Sequence, residues 1–417
     1  MSSDGRADLA AANFGSNNLT VLLADGAGGF AAPGAPVAVG THPHCVAIAD
    51  FNRDGRADLA TANNDSSDVS VLLGNGAGGF SPAAGSPVTV GTNPTTLTIG
   101  DFNRDGKADL ATSNEGSDNI TVLLGNGAGG FATTSGSPIP VGTHPTWIVS
   151  GDLNRDGKRD LATANRDSNN VTVLLGDGAG GFAPAPRSPF AVGSVPHSVA
   201  IGDLNSDGRL DLATGNQASN DVTVLRGNGA GSFSPAPASP FAVGTLPTAI
   251  AIGDLNADQR PDLATADRTD DRVTVLLGTR AGRFSAGPGS PFAVGDRPRS
   301  ITIADVNGDG RPDIATPNEW SNNVSLLLNT TPPNTKITSG PSGSTRNRTP
   351  AFGFRSTESN SSYACRVDGG RFRDCSSPHK ASRLSYGHHT FKVRAIDGSG
   401  STDPTPAKRR FRVVRRR

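Results

Sequence analysis

Aspartate and asparagine recur in a fixed pattern along this chain. In Asp50–Asp58, side-chain oxygens fall at positions 1, 3, 5 and 9, the carbonyl of Arg56 is available at position 7, and Gly55 permits a sharp turn. The pattern begins again at Asp101, Asp152, Asp203, Asp254 and Asp305, at a spacing of 51 residues. A hard divalent cation prefers about six to eight oxygens, which alternate residues of a tight loop can supply. The spacing therefore predicts a repeated calcium site.

Five copies carry a complete set of predicted calcium ligands. These ligands are Asp50, Asn52, Asp54, Arg56, Asp58, Asp101, Asn103, Asp105, Lys107, Asp109, Asp152, Asn154, Asp156, Lys158, Asp160, Asp203, Asn205, Asp207, Arg209, Asp211, Asp305, Asn307, Asp309, Arg311 and Asp313. A sixth, weaker site is expected from Asp254, Asn256, Asp258 and Asp262, because Gln259 replaces the glycine. The first copy keeps only part of the pattern. We expect about five or six bound calcium ions.

The alternative is that Asp, Asn and Gly serve here only as turn formers. Two observations favour metal binding. The pattern is complete five times, and residues 1–331 carry 20 basic and 33 acidic groups, a net charge of −13 that six divalent ions would bring to −1. Without ions, the three carboxylates of each loop would repel one another. An EF-hand is excluded because position 12 is threonine instead of glutamate, as at Thr61.

The sequence of each repeat predicts four short β-strands. In the second copy these are Val46–Asp50, Leu59–Asn63, Val69–Leu73 and a proline-rich segment from Phe80 to Val90. Four strands in a repeat of this length are typical of a propeller blade. We predict an all-β protein with a seven-bladed β-propeller at residues 1–329. A solenoid is the structural alternative, but its repeats are usually shorter.

The motif D-x-N-x-D-G-x-x-D, with the glycine turn before a phenylalanine as in Gly125–Phe131, resembles the FG-GAP or VCBS repeat. The resemblance covers about residues 1–329. It implies blades of the kind that bind calcium in integrin α-subunit propellers and in many secreted bacterial proteins. Because that family includes adhesins, lectins and enzyme appendages, the resemblance is informative on fold and calcium and leaves the function open.

The first residues, Met1-Ser2-Ser3-Asp4, show neither the charged region nor the apolar region that is typical of a signal peptide. The first repeat lacks its first strand and the seventh lacks its fourth, so 26 of 28 expected strands are present. We expect an upstream segment to supply a signal peptide and the missing strands.

The loops on the face opposite the acidic loops vary between repeats, so a ligand is expected there. The candidates are His42, His144, His197, Arg299 and Trp320, with His44, Asn93, Arg297, Phe14, Arg166, Arg268 and Glu319 in the same loops. Aromatic, amide and charged groups suit a carbohydrate or protein ligand, although solvated loops without a ligand are an equal alternative. A histidine metal site has no supporting spacing. No catalytic motif is present, so an enzyme is not expected.

A linker at 330–335 leads to a second predicted domain at 336–417, with 18 basic and 5 acidic groups. Its alternating strands resemble bacterial Ig-like modules. Cys365 and Cys375 are expected to form a hairpin disulfide, which indicates an oxidising compartment, and Cys45 to be a buried small hydrophobe. The basic tail is compatible with nucleic-acid binding, but the domain has no recognised nucleic-acid-binding module. We therefore expect no nucleic-acid partner.

We therefore expect a monomeric, secreted or cell-surface binding or adhesion module without a membrane span. The alternatives are a structural spacer and an accessory domain of an extracellular polysaccharide-acting enzyme.

Overall fold

A computed structural model describes residues 1–330, 332–358, 361–397 and 400–415. The protein is all-β, and the only helical segment among these residues is the 3-10 turn Phe14–Ser16. Two compact units are present. The first comprises 1–254, 260–306 and 314–327, and the second comprises 255–259, 307–313 and the chain from Leu328 onwards. Residue 331 of the predicted linker and residues 416 and 417 of the basic tail lie outside the described residues.

The first unit contains seven antiparallel sheets in chain order, numbered here 1 to 7. Sheet 1 consists of Leu9–Asn13, Asn18–Ala24, Phe30–Ala31 and Val37–Ala38. Sheets 2 to 4 consist of Pro43–Ala49, Asp58–Asn63, Asp68–Gly74, Phe80–Pro82 and Val88–Thr89; Pro94–Gly100, Asp109–Asn114, Asn119–Gly125, Phe131–Thr133 and Ile139–Pro140; and Pro145–Gly151, Asp160–Asn165, Asn170–Gly176, Phe182–Pro184 and Phe190–Ala191. Sheets 5 to 7 consist of Pro196–Gly202, Asp211–Asn216, Asp221–Gly227, Phe233–Pro235 and Phe241–Ala242; Pro247–Gly253, Asp262–Asp267, Arg272–Gly278, Phe284–Ala286 and Phe292–Ala293; and Thr302–Ala304, Asp313–Asn318 and Asn323–Leu327.

The fourth strand of each repeat differs from the prediction. In sheet 2 the expected continuous strand is two short strands, Phe80–Pro82 and Val88–Thr89, which pair with opposite ends of Asp68–Gly74. The interruption follows from the prolines, which lack the N–H that a ladder needs. Where the ladder is interrupted, the Ser86 hydroxyl accepts the Val71 N–H at 2.8 Å, so this buried backbone donor is satisfied.

The hydrophobic core lies between neighbouring sheets, and the first strands of successive sheets pack against one another. The apolar residue at position 2 of each acidic loop enters this core. Phe51 is 2% exposed and meets Phe131 of sheet 3 edge-on, with ring centroids 5.5 Å apart. This contact anchors the loop of sheet 2 to the next sheet.

The second unit is built around Phe352, Phe391 and Phe411. Its five-stranded sheet has the order Ser344–Thr345, Ala407–Val413, Gly387–Ile396, Ser362–Val367 and Arg373–Cys375. Two further pairs are Thr335–Ile337 with Phe354–Ser356, and Ala351–Phe352 with His379–Lys380. The predicted disulfide is present, with the Cα atoms of Cys365 and Cys375 5.8 Å apart. Among the described residues, no helix is long and apolar enough to span a membrane.

Candidate functional site

The acidic loops hold their first side chains with backbone hydrogen bonds. The Asp54 N–H donates to both Asp50 Oδ1 and Asn52 Oδ1, each at 3.1 Å, so these two oxygens converge. The Gly55 N–H donates to Asp50 Oδ2 at 2.8 Å, and the Arg56 N–H donates to Asp54 Oδ1 at 2.9 Å. The loop beginning at Asp101 repeats these contacts. Positions 1, 3 and 5 therefore present oxygens from one compact turn.

Asp58, at position 9, also has a structural role that the sequence did not reveal. Its Oδ2 accepts the Phe51 N–H and its Oδ1 accepts the Gly74 N–H, both at 2.8 Å. The carboxylate thus ties the start of the loop to the end of the third strand. Gly74 must be glycine, because an added Cβ would collide with the Ala57 carbonyl oxygen. Burial raises the pKa of Asp58 above its usual value.

The donor set of these loops fits a hard cation, but the carboxylates do not fully converge. Among the described residues, no loop brings three carboxylates within 4.8 Å of one another. Carboxylate and amide oxygens at positions 1, 3 and 5 are the donors that calcium prefers, and each Asp58 oxygen keeps a second lone pair. Asp50, Asn52 and Asp54 are therefore the residues best placed to hold an ion.

A basic side chain at position 7 accompanies the aspartate at position 5. Lys107 Nζ lies 2.9 Å from Asp105 Oδ2, and the Arg209 guanidinium lies 3.9 Å from Asp207. Both pairs are exposed. Screening by water keeps such pairs weak, so they leave the aspartates available to a divalent ion.

The sixth and seventh loops depart from this pattern. Gln259 has a φ of 66°, so it occupies the left-handed conformation for which the other copies use glycine, as expected. In the second unit, the Arg311 side chain is 2% exposed and forms ion pairs with Glu358, at 3.0 Å, and with Asp397. The position-7 side chain is therefore exposed or half-buried in the earlier loops and fully buried in the seventh.

The glycine turns lie beside the acidic loops, which fixes the two faces. A Cβ on Gly127 would meet Arg53 and Lys107, which belong to two successive acidic loops. The loops that hold the predicted ligand residues lie at the other strand ends. The prediction that the two faces differ in their loops is thus correct for the first unit.

Exposed residues surround the second face. His42 Nδ1 lies 2.6 Å from Asp65 Oδ2, and Phe14 stacks on His42 with ring centroids 4.1 Å apart. His144 contacts Asp167 in the equivalent place. Trp320 is 60% exposed, and the Arg297 guanidinium lies 3.2 Å from its ring centroid. This rim is more polar and less uniform than the acidic-loop face.

An inner ring of residues lies at the start of the first strands. Each member directly follows a proline, and the members are spaced 51 residues apart: His44, Thr95, Thr146, His197, Thr248 and Arg299. The Thr95 hydroxyl donates to the Thr146 carbonyl at 2.9 Å, and the Thr146 hydroxyl donates to the His197 carbonyl at 3.0 Å. His197 Nδ1 lies 2.7 Å from the Thr248 carbonyl oxygen. The ring links successive sheets by side-chain hydrogen bonds.

Arginines and glutamates from neighbouring repeats meet above this ring. Glu319 Oε2 lies 2.9 Å from Arg268 and 3.8 Å from Arg299, and Arg166 lies 3.0 Å from Glu115. Burial lowers the pKa of Arg299, which also responds to Glu319, Arg268, Glu115 and Arg297. We call His44, His197, Arg268, Arg297, Arg299 and Glu319 the axial cluster.

Both histidines of the axial cluster are neutral. Burial, reinforced by Arg299, lowers the pKa of His44 to about 4 and that of His197 to about 3. His44 belongs to sheet 2 and Arg299 precedes sheet 7, so residues from distant repeats come within electrostatic range of one another. His44 and His197 lie in strands, contrary to the prediction that both lie in loops.

The structure thus brings His197 and Arg299 together and leaves His42, His144 and Trp320 on the rim. The sequence analysis missed Glu115 and the threonines of the inner ring. Comparing equivalent positions 51 residues apart would have found them.

Cys45 is partly buried in the core between sheets 2 and 3, where burial raises its pKa to about 11.

Comparison with known families agrees with the repeat pattern. Residues 1–61, 50–112, 152–214, 207–265 and 254–316 match the FG-GAP-like repeat, and residues 93–133 match the FG-GAP repeat. The chain belongs to the FG-GAP-like repeat family. No curated protein matches the sequence.

Solved structures with this fold include enzymes. A Bacteroides fragilis protein provisionally assigned as a 6-phosphogluconolactonase has a TM-score of 0.59 and 16% identity, covering 92% of this chain and 97% of its own. A Bacteroides uniformis protein with the same provisional assignment gives 0.57 and 15%, covering 75% and 88%. The periplasmic gluconolactonase of Pseudomonas aeruginosa gives 0.50 and 16%, covering 75% and 80%. These similarities show a β-propeller fold.

The expectation that the protein is not an enzyme is wrong. It rested on missing catalytic motifs, whereas the propellers to which this chain is similar include lactonases. The inference failed because motif spacing detects sites formed by one segment, and a propeller assembles its central residues from many repeats.

Proposed function

We propose that this protein is a secreted or cell-surface calcium-binding propeller that binds a carbohydrate or protein ligand on the face opposite its acidic loops. Seven blades and an Ig-like C-terminal sandwich belong to this proposal, as do about five or six calcium ions. The observation that supports it most is the contrast between faces. Equivalent positions keep the same oxygen donors on one face and carry different side chains on the other.

Calcium would be held mainly by the side chains at positions 1, 3 and 5, as at Asp152, Asn154 and Asp156. Asp156 and Gly157 donate backbone N–H groups that already fix Asp152 at 3.1 and 3.0 Å. A bound ion would neutralise charge on a unit that carries excess aspartate. The loops would then join the first and second strands firmly, which stabilises each sheet.

Thermal unfolding in millimolar calcium and in chelator tests this part of the proposal. A site filled to a thousand times its dissociation constant adds about 4 kcal/mol, so several sites must raise the midpoint strongly. Magnesium at the same concentration is the control and should give a smaller rise. Equal midpoints in calcium and chelator would contradict the proposal.

Calcium stoichiometry gives a second, local measurement. Asp156→Asn should reduce the number of bound ions by one, since it removes a charged ligand from a single loop. Asp167→Asn, which removes a carboxylate from the opposite face, is the matched control and should leave the number unchanged. An unchanged number in Asp156→Asn would show that the loops are turns without ions.

A panel of glycans and cell-wall polymers tests the ligand face. Trp320→Ala should weaken binding, because Trp320 offers an exposed aromatic surface at the rim. Lack of binding to every member of the panel and to surface proteins would favour the structural spacer.

A second candidate is an enzyme that acts at the axial cluster. Two neutral imidazoles beside Arg299 support it, because a neutral imidazole can accept a proton. Hydrolysis of glucono-δ-lactone by the whole chain is the first assay, given the lactonases with this fold. His197→Gln should abolish any activity that belongs to this cluster, and activity that survives it would place catalysis elsewhere.

A further inference from the structure

We propose that the axial cluster binds a hydroxylated carboxylate, of which a sugar acid is the simplest form. This inference rests on the proposed ligand face and specifies what that face recognises. In this inference Arg268 and Arg299 bind the carboxylate of the sugar acid, His197 bonds to one of its hydroxyl groups, and Trp320 packs against the C–H face of its sugar ring.

The first step is charge. Arg268 and Arg299 both pair with the carboxylate of Glu319, and Arg297 lies within electrostatic range of Arg299, so these four residues include two more positive than negative groups. Arg268 Nε is buried and has no hydrogen-bond partner among the described residues. Guanidinium groups bind carboxylates with paired, charge-assisted hydrogen bonds. The excess charge and the unused donor both favour an anionic ligand.

The second step is the hydrogen-bonding state of the histidines. Because the Thr248 carbonyl can only accept, His197 Nδ1 carries the proton, and Nε2 of the neutral ring is an acceptor. His44 has no side-chain hydrogen bond to a described residue. An acceptor next to arginines suits a ligand with both hydroxyl and carboxylate groups. A fully deprotonated inorganic anion such as sulfate would leave this acceptor unsatisfied.

The third step is the aromatic rim. The Arg297 guanidinium covers one face of Trp320, yet the side chain remains 60% exposed. Arg297 also lies within electrostatic range of Arg299, which places Trp320 next to the arginines. Tryptophan beside polar groups packs against the C–H face of a sugar while its neighbours bind the hydroxyls. A pyranose carrying a carboxylate combines these features.

The experiment is titration calorimetry of the full chain in calcium at pH 7, with glucuronate as the probe. Glucose is the neutral match, acetate supplies the carboxylate alone, and inorganic sulfate is an oxyanion without a hydroxyl group. We expect glucuronate to bind at least about tenfold more tightly than each of the other three, since only glucuronate satisfies both arginines and His197.

Arg299→Met and Arg268→Gln should each weaken glucuronate binding by at least about tenfold. Arg299→Lys, which keeps the charge but lacks the planar fork, should fall between Arg299→Met and the unchanged protein. Arg280→Gln removes the same charge from an exposed turn outside the cluster and is the matched control. An unchanged thermal midpoint in Arg268→Gln or Arg299→Lys separates lost binding from lost folding.

Equal binding of glucose and glucuronate would overturn the inference, and so would equal binding of sulfate, which has no hydroxyl group to donate to His197. Retained glucuronate binding in both Arg299→Met and Arg268→Gln would also overturn it. Binding of neutral glycans that depends on Trp320 would leave the proposed function standing while this inference fails. Failure of every glycan and protein ligand would remove both.

Discussion

The acidic-loop face and the opposite face, which carries the axial cluster, are built from the same repeats. The residues at equivalent positions are more uniform on the first face than on the second. On the first, five loops have Asp, Asn, Asp and Gly at equivalent positions, and those beginning at Asp50, Asp101 and Asp152 share a backbone hydrogen-bonding scheme. On the second, the inner ring contains histidine, threonine and arginine at one position. Identical positions indicate what each sheet needs to fold, whereas the different ones lie where we propose that a ligand binds. Each prediction below tests a place where one repeat departs from the others.

The largest effect is expected at position 7 of the acidic loops. Arg311→Met should lower the free energy of unfolding of the second unit by about 3–5 kcal/mol, because Glu358 and Asp397 would keep buried charges without their partner. Urea denaturation measures the change. Arg209→Met removes the exposed equivalent and should cost less than about 1 kcal/mol. Equal effects of the two variants would refute this distinction.

Asp267 occupies a position at which the six other repeats have asparagine. These asparagines are Asn13, Asn63, Asn114, Asn165, Asn216 and Asn318. It is fully buried, and burial raises its pKa to about 6. The folded state therefore binds the proton more tightly than the unfolded state, so stability falls as the pH rises from about 4 to about 6, and above pH 6 the full loss is about 3 kcal/mol at most. Asp267→Asn should remove this loss at pH 7.5, and its benefit should shrink toward pH 4.

Urea unfolding of Asp267→Asn at pH 7.5 and 4.5 checks the prediction. The reverse change, Asn216→Asp, is the matched variant and should destabilise the protein at pH 7.5. In the native chain Asn216 Nδ2 donates to Asp221 at 2.7 Å and to Thr223 at 2.9 Å, and aspartate cannot make these bonds. A benefit of Asp267→Asn that does not depend on pH would assign the effect to packing.

The next largest effect is expected from His44 and His197, the histidines of the axial cluster, on the dependence of stability on pH. Their pKa values are lowered, so the unfolded chain takes up protons below pH 6.5 before the folded chain does, and stability falls as the pH decreases. For His197, with a pKa of about 3, this loss is about 2 kcal/mol at pH 5. His197→Gln should flatten the dependence of unfolding free energy on pH between 7.5 and 5. His42→Gln, at the exposed rim, is the control, and equal flattening by both would contradict the prediction.

The smallest effect is expected at Gln259, where the sixth loop lacks its glycine. Gln259→Gly should stabilise the chain by about 1 kcal/mol, because glycine adopts a φ of 66° without a steric penalty. Differential scanning calorimetry in chelator isolates the backbone effect. Gly208→Gln in the fifth loop should cause a similar loss, and no change in either variant would show that position 6 tolerates any residue.

The repeat, its strands and the acidic loops could be predicted from the sequence because they depend on residues close together in the chain. The loop at Asp50–Asp58 is one example, since all of its expected oxygen donors lie within nine residues. The bond from Gly74 to Asp58 was not predicted, because it depends on how the third strand ends near the loop.

The axial cluster was predicted only in part for a different reason. His44 and Arg299 are far apart in the chain and come within range only when the sheets are arranged side by side. The burial of Arg311 likewise depends on Glu358 and Asp397, which no repeat contains. Such contacts leave no periodic signal in the sequence.

The inner ring has a consequence for how this gene can change. Thr95, Thr146 and His197 each bond to the backbone of the corresponding residue one repeat later, so the acceptor does not depend on that residue's side chain. Recombination between neighbouring repeats could therefore exchange whole sheets and leave these junctions intact. New combinations of side chains at the centre would arise in single genetic events, without a separate adaptation of each interface.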